Sequence, residues 1–422
     1  MKVTAALAIF AAAIAGLLVF DYLRPGEWTV VGDGFISERD REKLEARIRK
    51  AEERSQHAKG VYVTSTVAQD RGRVASKLRA DILRLLEETE LNAVVIDIKE
   101  TEGGLIITNE LRDLILELHQ KDAWVIARLV VFKDGSQERV HPEWYLRRRL
   151  GTQAPKATTT LTIWRDRRGG SWLDPASREV WAYQLAAAKA AADAGFDEIQ
   201  FDYIRFPSDG DVAAIAYPVY DGARPKYEVL REFFGFLHDE LKAYRPELVL
   251  SADLFGYVAL ESEDLGIGQR LADIGENFDY VSLMVYPSHY YGGLEVAADQ
   301  GRNLPAVAYP YRASDPSRAA ASHPYEVVYR TLLIADDVLS GRATSTPASA
   351  TSTAASLPAS ARRVKLRPWL QDFDLAVDSA RGIRYDASKV RAQIDAAEAA
   401  GASGWLLWSP DNVYTRDALK PE

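Results

Sequence analysis

The chain contains eight short apolar runs from residue 60 onward, and most are followed by a polar turn and a helical pattern. Such alternation is typical of βα units around a parallel barrel. A helical spacing precedes the fourth run, in residues Trp181, Leu185, Ala188 and Ala192, and Gly195 stands where that helix should end. Because eight strands close a barrel, the sequence predicts an α/β fold of the (β/α)8 TIM-barrel class. The runs are 60–65, 92–100, 124–132, 196–206, 248–256, 280–287, 365–373 and 404–410.

The chain begins with a charge-free stretch. Lys2 is followed by an uncharged run from Val3 to Phe20, about long enough to cross a hydrocarbon core of roughly 30 Å. We expect residues 1–22 to be a signal sequence or a membrane anchor. The small residues Ala13 to Ala15 favour cleavage, whereas the apolar continuation to Phe20 favours retention. Both readings predict an exported bacterial protein that is membrane-anchored, periplasmic or extracellular.

A densely charged segment separates this stretch from the barrel. Residues 38–54 carry both signs of charge around Leu44 and Ile48, which predicts a solvated helix with a thin apolar stripe. The helix could hold the barrel away from a membrane or lie across its bottom. The predicted organisation is therefore an anchor (1–22), a charged spacer helix (23–57) and a barrel domain (58–422).

Two connections are longer than a minimal barrel needs. Residues 133–175 contain Trp144, Trp164 and Trp172, and because loops at this rim build binding sites, their aromatic content suggests a carbohydrate surface. Residues 341–362 are almost all Ala, Ser, Thr, Pro and Arg, a composition that cannot bury enough surface to fold. We predict a disordered insertion before the seventh strand.

Composition excludes several classes of function. A net charge of -9 and a pI near 5.4 argue against nucleic acid as a partner, since phosphate binding needs a clustered basic face. The absence of Cys removes thiolate nucleophiles and Cys-ligated zinc. The sequence contains neither a dinucleotide-binding fingerprint nor a phosphate loop, so we predict no cofactor. It leaves the oligomeric state open.

Carboxylates recur at the ends of the predicted strands. Asp202 ends the core of the fourth run and Asp253 occupies the corresponding position in the fifth, while Asp97 and Asp372 lie in the second and seventh. These strand ends share the rim where barrel enzymes hold their active sites, and several charges there imply a polar cleft. Neighbouring strands lie about 4.8 Å apart, so Asp202 and Asp253 could act on one bond.

A pair of nearby carboxyl groups is the usual machinery of glycoside hydrolysis, one ionised and the other protonated. Repulsion between the two separates their pKa values. We assign Asp202 as the nucleophile and Asp253 as the acid/base, with the reverse assignment also open. A separation near 5 Å would give retention of anomeric configuration and roughly 6.5 to 9.5 Å would give inversion; we favour retention.

Further side chains at this rim are predicted to bind the substrate. Basic groups would keep the carboxylates ionised or bind sugar hydroxyls, although each could instead form a structural ion pair. Aromatic faces could stack on sugar rings, although a single Trp or Tyr more often packs in a core. The predicted substrate-binding residues are Asp97, Lys99, Arg128, Tyr203, Arg205, Tyr286, His289, Gln371 and Trp408.

Several strand motifs carry a family resemblance: DIKE on the second strand, ARLVVFKD on the third, DEIQFDYIRFPSDG on the fourth, SADLFGY on the fifth and LMVYPSHY on the sixth. Together they resemble a bacterial family of putative glycosyl hydrolases, a TIM-barrel domain of unknown function distantly similar to alpha-amylase and alpha-galactosidase enzymes. The resemblance implies a fourth-strand nucleophile, here Asp202. On the fifth strand this chain has Asp253 where alpha-amylase-like enzymes have Glu. On the sixth it has Tyr286 and Pro287 where alpha-galactosidase-like enzymes have Asp.

Two alternatives to this hydrolase remain open on the sequence. Asp97, Asp202 and Asp253 could form an oxygen site for a hard cation, which would make the chain a metal-assisted hydrolase. A degenerate barrel could instead bind envelope glycan without cleaving it. The main prediction is a glycoside hydrolase whose partners are a polysaccharide or glycoconjugate substrate and, through the N-terminal segment, a membrane.

Overall fold

A closed barrel of eight parallel strands forms the centre of the molecule. The computed structural model describes residues 28–31, 34–149, 162–342 and 364–422. The strands follow one another around the barrel in chain order, and the last pairs with the first. This confirms the predicted (β/α)8 TIM barrel. The strands are β1 (Lys59–Val63), β2 (Ala93–Lys99), β3 (Trp124–Val130), β4 (Glu198–Asp202), β5 (Val249–Phe255), β6 (Tyr280–Met284), β7 (Lys365–Leu366 and Trp369–Gln371) and β8 (Trp405–Trp408).

Helices cover the outside of this barrel and one end of it. Those described are α1 (Glu38–Ser55), α2 (Ser65–Gln69), α3 (Arg73–Glu88), α4 (Asn109–Gln120), α5 (Arg178–Ala194), α6 (Lys226–Tyr244), α7 (Leu271–Ile274), α8 (Pro324–Leu339), α9 (Ala376–Ser379) and α10 (Ala387–Ala399). Short antiparallel pairs lie outside the barrel: Trp28–Val31 with Gly34–Ser37, Arg147–Arg148 with Ile215–Ala216, and Leu294–Val296 with Val307–Tyr309.

Helix α5 shows how local sequence sets these boundaries. The Ser177 side chain accepts a hydrogen bond from the Val180 N–H and so caps the first turn. Trp181 and Ala188 are buried on the face that packs against the barrel. Gly195 adopts a φ of +104°, a left-handed conformation that glycine tolerates without a Cβ clash. The predicted helix end at Gly195 is therefore confirmed.

Both faces of the strands are buried, because helices cover one side and the barrel interior the other. Every residue of β2 and β3 is buried, as expected of parallel strands. Alternate residues point inward, so β4 contributes Glu198, Gln200 and Asp202 to successive layers of the interior. Asp202 belongs to the layer at the carboxyl-terminal rim, and this register decides which polar groups can meet there.

Strand β7 is interrupted because it contains a proline. Pro368 has no N–H to donate to a ladder, and the strand is divided into Lys365–Leu366 and Trp369–Gln371 around it. Both parts pair with β6, and the second also pairs with β8. The interruption leaves Trp369 directed into the barrel interior, where it packs with Tyr62 and Leu406.

Helix α1 closes the amino-terminal end of the barrel, one of the two placements that the sequence left open. The Ser55 hydroxyl lies 2.9 Å from the Tyr280 hydroxyl, and Arg367 Nη2 donates to the Ser55 carbonyl over 2.8 Å. Residues 1–22, where the anchor was predicted, lie outside the described residues, as does all but the start of the 341–362 insertion. Within the described ranges, no helix has the length and apolarity needed to cross a bilayer.

The tryptophans of the 133–175 connection serve packing. Trp144, Trp164 and Trp172 are buried, and their indole N–H groups donate to Glu179, the Asp211 carbonyl and Asp166. Buried indoles with a bonded N–H contribute apolar contact area to a core. The expectation that these three rings form a carbohydrate surface is therefore wrong.

A matched ion pair near α1 gives a first prediction. Glu198 and Arg367 are completely buried, and Arg367 Nη1 lies 2.8 Å from both carboxylate oxygens, while Trp124 Nε1 donates to Glu198 over 2.9 Å. Arg367→Met should lower the free energy of unfolding by about 3–5 kcal/mol, because it leaves a buried carboxylate without its counter-charge. Urea denaturation monitored by Trp fluorescence measures the change. The double variant Glu198→Gln/Arg367→Met should recover part of the loss; a double variant less stable than the single one would contradict this account.

Candidate active site

Three strands bring carboxylates together around one guanidinium at the carboxyl-terminal rim. Arg128 Nη1 lies 2.5 Å from Asp97 Oδ1, and Nη2 forms an ion pair with Asp202. The third carboxylate, Asp253, lies 3.6 Å from Arg128 Nε, beyond hydrogen-bond length. Asp202 and Asp253, the two carboxyl groups that the sequence suggests as a catalytic pair, therefore both lie beside one guanidinium.

Asp202 accepts hydrogen bonds from two directions. Its Oδ2 pairs with Arg128, and its Oδ1 accepts a hydrogen bond of 2.6 Å from the Tyr203 N–H. Tyr203 adopts a φ of +53°, an uncommon left-handed conformation for a tyrosine, and it does so directly at the end of β4. Each oxygen of Asp202 therefore has a hydrogen-bond donor, Arg128 for one and the Tyr203 N–H for the other.

Asp253 has fewer groups to compensate a negative charge. Trp369 Nε1 donates to its Oδ1 over 2.9 Å, and the carboxyl group is almost completely buried. Burial, together with the negative charge of Asp202, raises the pKa of Asp253 well above its ordinary value. This raised pKa favours the protonated form of Asp253.

Asp97 completes the group of three. Besides Arg128, it accepts a hydrogen bond from the Tyr62 hydroxyl. Burial raises the pKa of Asp97 despite these two partners. Burial also opposes the positive charge of Arg128, but Asp97 and Asp202 hold its pKa well above the ordinary value, so Arg128 remains the cation of this cluster.

Aromatic side chains form the remaining wall of the rim. Trp408 stacks on Tyr62 with ring centroids 3.9 Å apart, and the Arg128 guanidinium lies 5.2 Å from the Trp408 ring. Tyr286 is buried, and burial with the neighbouring Asp253 raises its pKa. His289 lies 5.4 Å from the Tyr286 ring, and burial lowers the pKa of its imidazole. This wall is largely uncharged, whereas the opposite wall carries the carboxylates.

Arg205 follows the end of β4 and packs against aromatic rings. Its guanidinium lies 4.8 Å from the rings of both Trp172 and Phe255, and it donates to the Phe206 carbonyl and the Ser208 hydroxyl over 3.1 Å. These contacts fix the segment after Asp202, so Arg205 supports the loop that carries the Tyr203 N–H.

Lys99 and Gln371 lie outside the carboxylate cluster. A bulge between Asp97 and Lys99 shifts the register of β2 against β3. Lys99 then bonds with Asp134 over 2.6 Å and with the Val130 carbonyl over 2.7 Å. The Gln371 amide donates to the Ser288 hydroxyl and the Phe373 carbonyl. The seventh-run carboxylate is also elsewhere, because Asp372 accepts both hydrogen bonds that Thr415 donates.

Two members of the site were not among the residues predicted from the sequence. Tyr62 bonds Asp97, and Trp369 bonds Asp253. The alternation of β1 and β7 places both side chains on the inner face, and each carries a donor that a strand-end carboxylate can accept. That combination of inward position and polar tip was the available signal.

The guanidinium of Arg128 occupies the position that a cation shared by the three carboxylates would take. Of the described residues, no three His, Asp or Glu side chains are arranged to hold a metal ion. A hard cation needs several oxygens left free to coordinate it, whereas Asp97 and Asp202 already bond with Arg128. The geometry does not fit the metal-assisted alternative.

A parallel barrel with carboxyl groups gathered at its carboxyl-terminal rim is typical of glycosidase-like TIM-barrel proteins. A family model described as "Putative glycosyl hydrolase domain" matches residues 60–414, and the chain belongs to this family. The family resemblance seen in the strand motifs is thereby confirmed. A search of the curated proteins gave no match.

Among solved structures that resemble this chain, the first described below shares its fold. The PgaB (BpsB) glycoside hydrolase domain from Bordetella bronchiseptica is 15% identical, with a TM-score of 0.53 over 86% of this chain and 99% of that domain. A hypothetical protein from Ruminiclostridium thermocellum ATCC 27405 is 28% identical over 49% of this chain and 98% of its own, with a TM-score of 0.37. The C-terminal domain of a putative chitinase from Desulfitobacterium hafniense DCB-2 is 11% identical over 86% and 96%, with a TM-score of 0.48.

The unusual burial of Asp253 predicts how stability depends on pH. A carboxyl group whose pKa is raised on folding destabilises the folded state as pH rises from its unfolded pKa through its folded pKa. Asp253→Asn removes this charge while keeping an acceptor for the Trp369 N–H. The variant should therefore gain about 1–2 kcal/mol over wild type at pH 8 and nothing below the ordinary carboxyl pKa.

Thermal unfolding of both proteins at pH 4 and pH 8 measures this difference. Asp202→Asn is the matched control: it weakens the counter-charge of Arg128 and should destabilise the protein at pH 8. An Asp253→Asn variant that is less stable than wild type at pH 8 would contradict the assignment of a proton to Asp253.

Proposed function

We propose that this protein is a glycoside hydrolase that cleaves a polysaccharide or glycoconjugate, with Asp202 as nucleophile and Asp253 as acid/base. The main observation behind the proposal is that Arg128 lies closer to one of the two carboxyl groups than to the other. Asp202 forms an ion pair with the guanidinium, whereas Asp253 lies 3.6 Å from it. One anion and one proton donor facing each other are what glycosidic cleavage requires.

The proposed reaction balances its protons within this pair. Asp202 attacks the anomeric carbon while Asp253 gives its proton to the departing glycosidic oxygen, leaving a glycosyl ester on Asp202 and an ionised Asp253. A water molecule then gives a proton to Asp253, and its oxygen displaces Asp202 from the anomeric carbon. Two displacements at one carbon retain its configuration. Arg128 and the Tyr203 N–H would stabilise Asp202 as a leaving carboxylate in the second step.

One observation favours a second candidate function. Asp202 and Asp253 are only 6% and 2% exposed, and a carboxyl group closed to solvent is hard for a substrate to reach. A barrel of this kind could bind envelope glycan without cleaving it. The charge-free run from Val3 to Phe20 supports an exported location, and hence an envelope or extracellular glycan, under either function.

Asp202→Asn separates the two functions. The substitution keeps the shape of the side chain but removes the nucleophile, so release of reducing ends from a glycan panel should fall by about a thousandfold or more. Affinity for the same glycan, measured by calorimetry, should change less than about threefold. Asp372→Asn is the matched control, since it alters a strand-end carboxylate outside the cluster, and it should retain activity. A wild-type protein that binds glycan but releases no reducing ends would establish the binding function instead.

Asp253→Ala tests the proton donor. With an aryl glycoside whose phenol leaves without protonation, the variant should keep most of the wild-type rate of the first step, whereas cleavage of a sugar–sugar bond should fall by about two to four orders of magnitude. In the wild type, the rate of sugar–sugar cleavage should decline as pH rises through the raised pKa of Asp253. The variant should lose this alkaline limb. Equal losses on both substrates would contradict the role of Asp253 as acid.

A further inference from the structure

A continuous row of aromatic rings leads from the carboxylate cluster to the surface. We define the aromatic track as Tyr286, His289, Phe373, Tyr291 and Tyr311. The Tyr286 ring lies 5.4 Å from His289 and 5.5 Å from Phe373. His289 stacks with Tyr291 at 5.6 Å with an interplanar angle of 23°, and Tyr291 lies 5.0 Å from Tyr311. At each step the two rings are in contact.

Exposure increases along the track from Tyr286 to Tyr291, and Tyr311 beyond it is half-buried. Tyr286 is 5% exposed beside Asp253, His289 and Phe373 are half-buried, and Tyr291 is 59% exposed. Such a graded series differs from a core cluster, whose members are all buried, and from scattered surface aromatics, which do not contact one another. Aromatic rings pair an apolar face with a polar tip, which suits a surface that is partly wet.

The position of Tyr286, the inner end of the track, indicates on which side of the scissile bond the track lies. Tyr286 is adjacent to Asp253, the group that gives a proton to the departing oxygen in the proposed function. Asp202, which would receive the anomeric carbon, lies beside Tyr203 on β4, the strand next to the one that carries Asp253. A chain that passes from Asp202 to Asp253 therefore continues onto the track with its leaving-group portion.

We propose that the aromatic track binds at least two sugar units on the leaving-group side of the scissile bond. The proposal rests on the proposed function. It assigns Tyr291 to the outer of these sugar sites, Phe373 and His289 to the inner one, and an oligosaccharide rather than a single sugar to the leaving group.

Other aromatic residues near the rim do not offer the same surface. Trp172 is buried under Arg205, and Trp408 is half-buried with one face stacked on Tyr62. Burial of His289 lowers its pKa, so the imidazole in the track is neutral and can both donate and accept a hydrogen bond. The track therefore suits uncharged sugar rings with hydroxyl or N-acyl groups.

Cleavage maps of labelled oligosaccharides test the proposal in the full-length chain. The probes are six-unit oligosaccharides of β-1,4-linked N-acetylglucosamine, β-1,4-linked glucose, α-1,4-linked glucose and α-1,4-linked galactose, labelled at the reducing end, and the aryl glycoside of each single sugar. Wild type should leave labelled products of two or more units. Tyr291→Ala should lower kcat/KM on the six-unit probe roughly tenfold and move cleavage towards the label, with no change on the aryl glycoside.

Two further variants show whether a loss of activity in Tyr291→Ala comes from removal of the ring. Tyr291→Phe keeps the ring and should retain the wild-type cleavage map, and Tyr244→Ala, which removes an exposed ring at the far end of α6, should leave all rates unchanged. If Tyr291→Ala leaves the map unchanged, or affects both kinds of probe equally, the track proposal is overturned while the hydrolase proposal stands.

If wild type cleaves none of the probes, these sugars give no support to the hydrolase proposal. The track proposal is then tested by the binding of the same probes. Calorimetry then compares the six-unit probes on Asp202→Asn with and without Tyr291→Ala. Weaker binding in the double variant, by roughly tenfold, supports the track as a glycan site; equal binding, or no binding by either protein, overturns it.

Discussion

The sharing of Arg128 among three carboxyl groups is the interaction on which the rest of the site depends. A buried carboxylate is costly unless a counter-charge and hydrogen bonds compensate it, and this cluster has one cation for three acids. Asp97 and Asp202 take the two terminal nitrogens, so the deficit falls on Asp253. Two carboxyl groups of the same chemistry thereby have different surroundings, and the proposed roles of Asp253 as acid and Asp202 as nucleophile rest on that difference.

The two ends of the barrel differ in how completely their buried charges are compensated. Near α1, Glu198 and Arg367 are matched one to one, and each is also bonded to a neighbouring group. At the carboxyl-terminal rim the charges are unmatched and Tyr203 adopts an unfavourable backbone conformation. Catalytic sites tolerate such local costs because perturbed groups perform the chemistry. Stability comes from the strands and helices between, where apolar residues fill both faces.

Much of the architecture could be predicted because it depends on periodicity. Runs of apolar residues and helical spacing are local, so the eight strands and helix α5 follow from them, as does the end of that helix at Gly195. Asp202 and Asp253 could be paired since strands adjacent in sequence are adjacent in this fold. The errors share one cause: direction and burial of a side chain in an irregular segment are set by distant partners. The bulge that takes Lys99 to Asp134 and the packing that buries Trp164 are examples.

The sequence alone determined the fold class, the family and the strand ends at which carboxylates gather, because each of these depends on patterns within short stretches of chain. Only the tertiary structure decided which carboxyl group meets which cation. Arg128 lies 31 residues from Asp97 and 74 from Asp202, and Trp369 lies 116 from Asp253. A proton's position depends on distances between such groups, and barrel closure sets those distances. The aromatic track has the same origin, since Phe373 meets Tyr286 only when β7 pairs with β6.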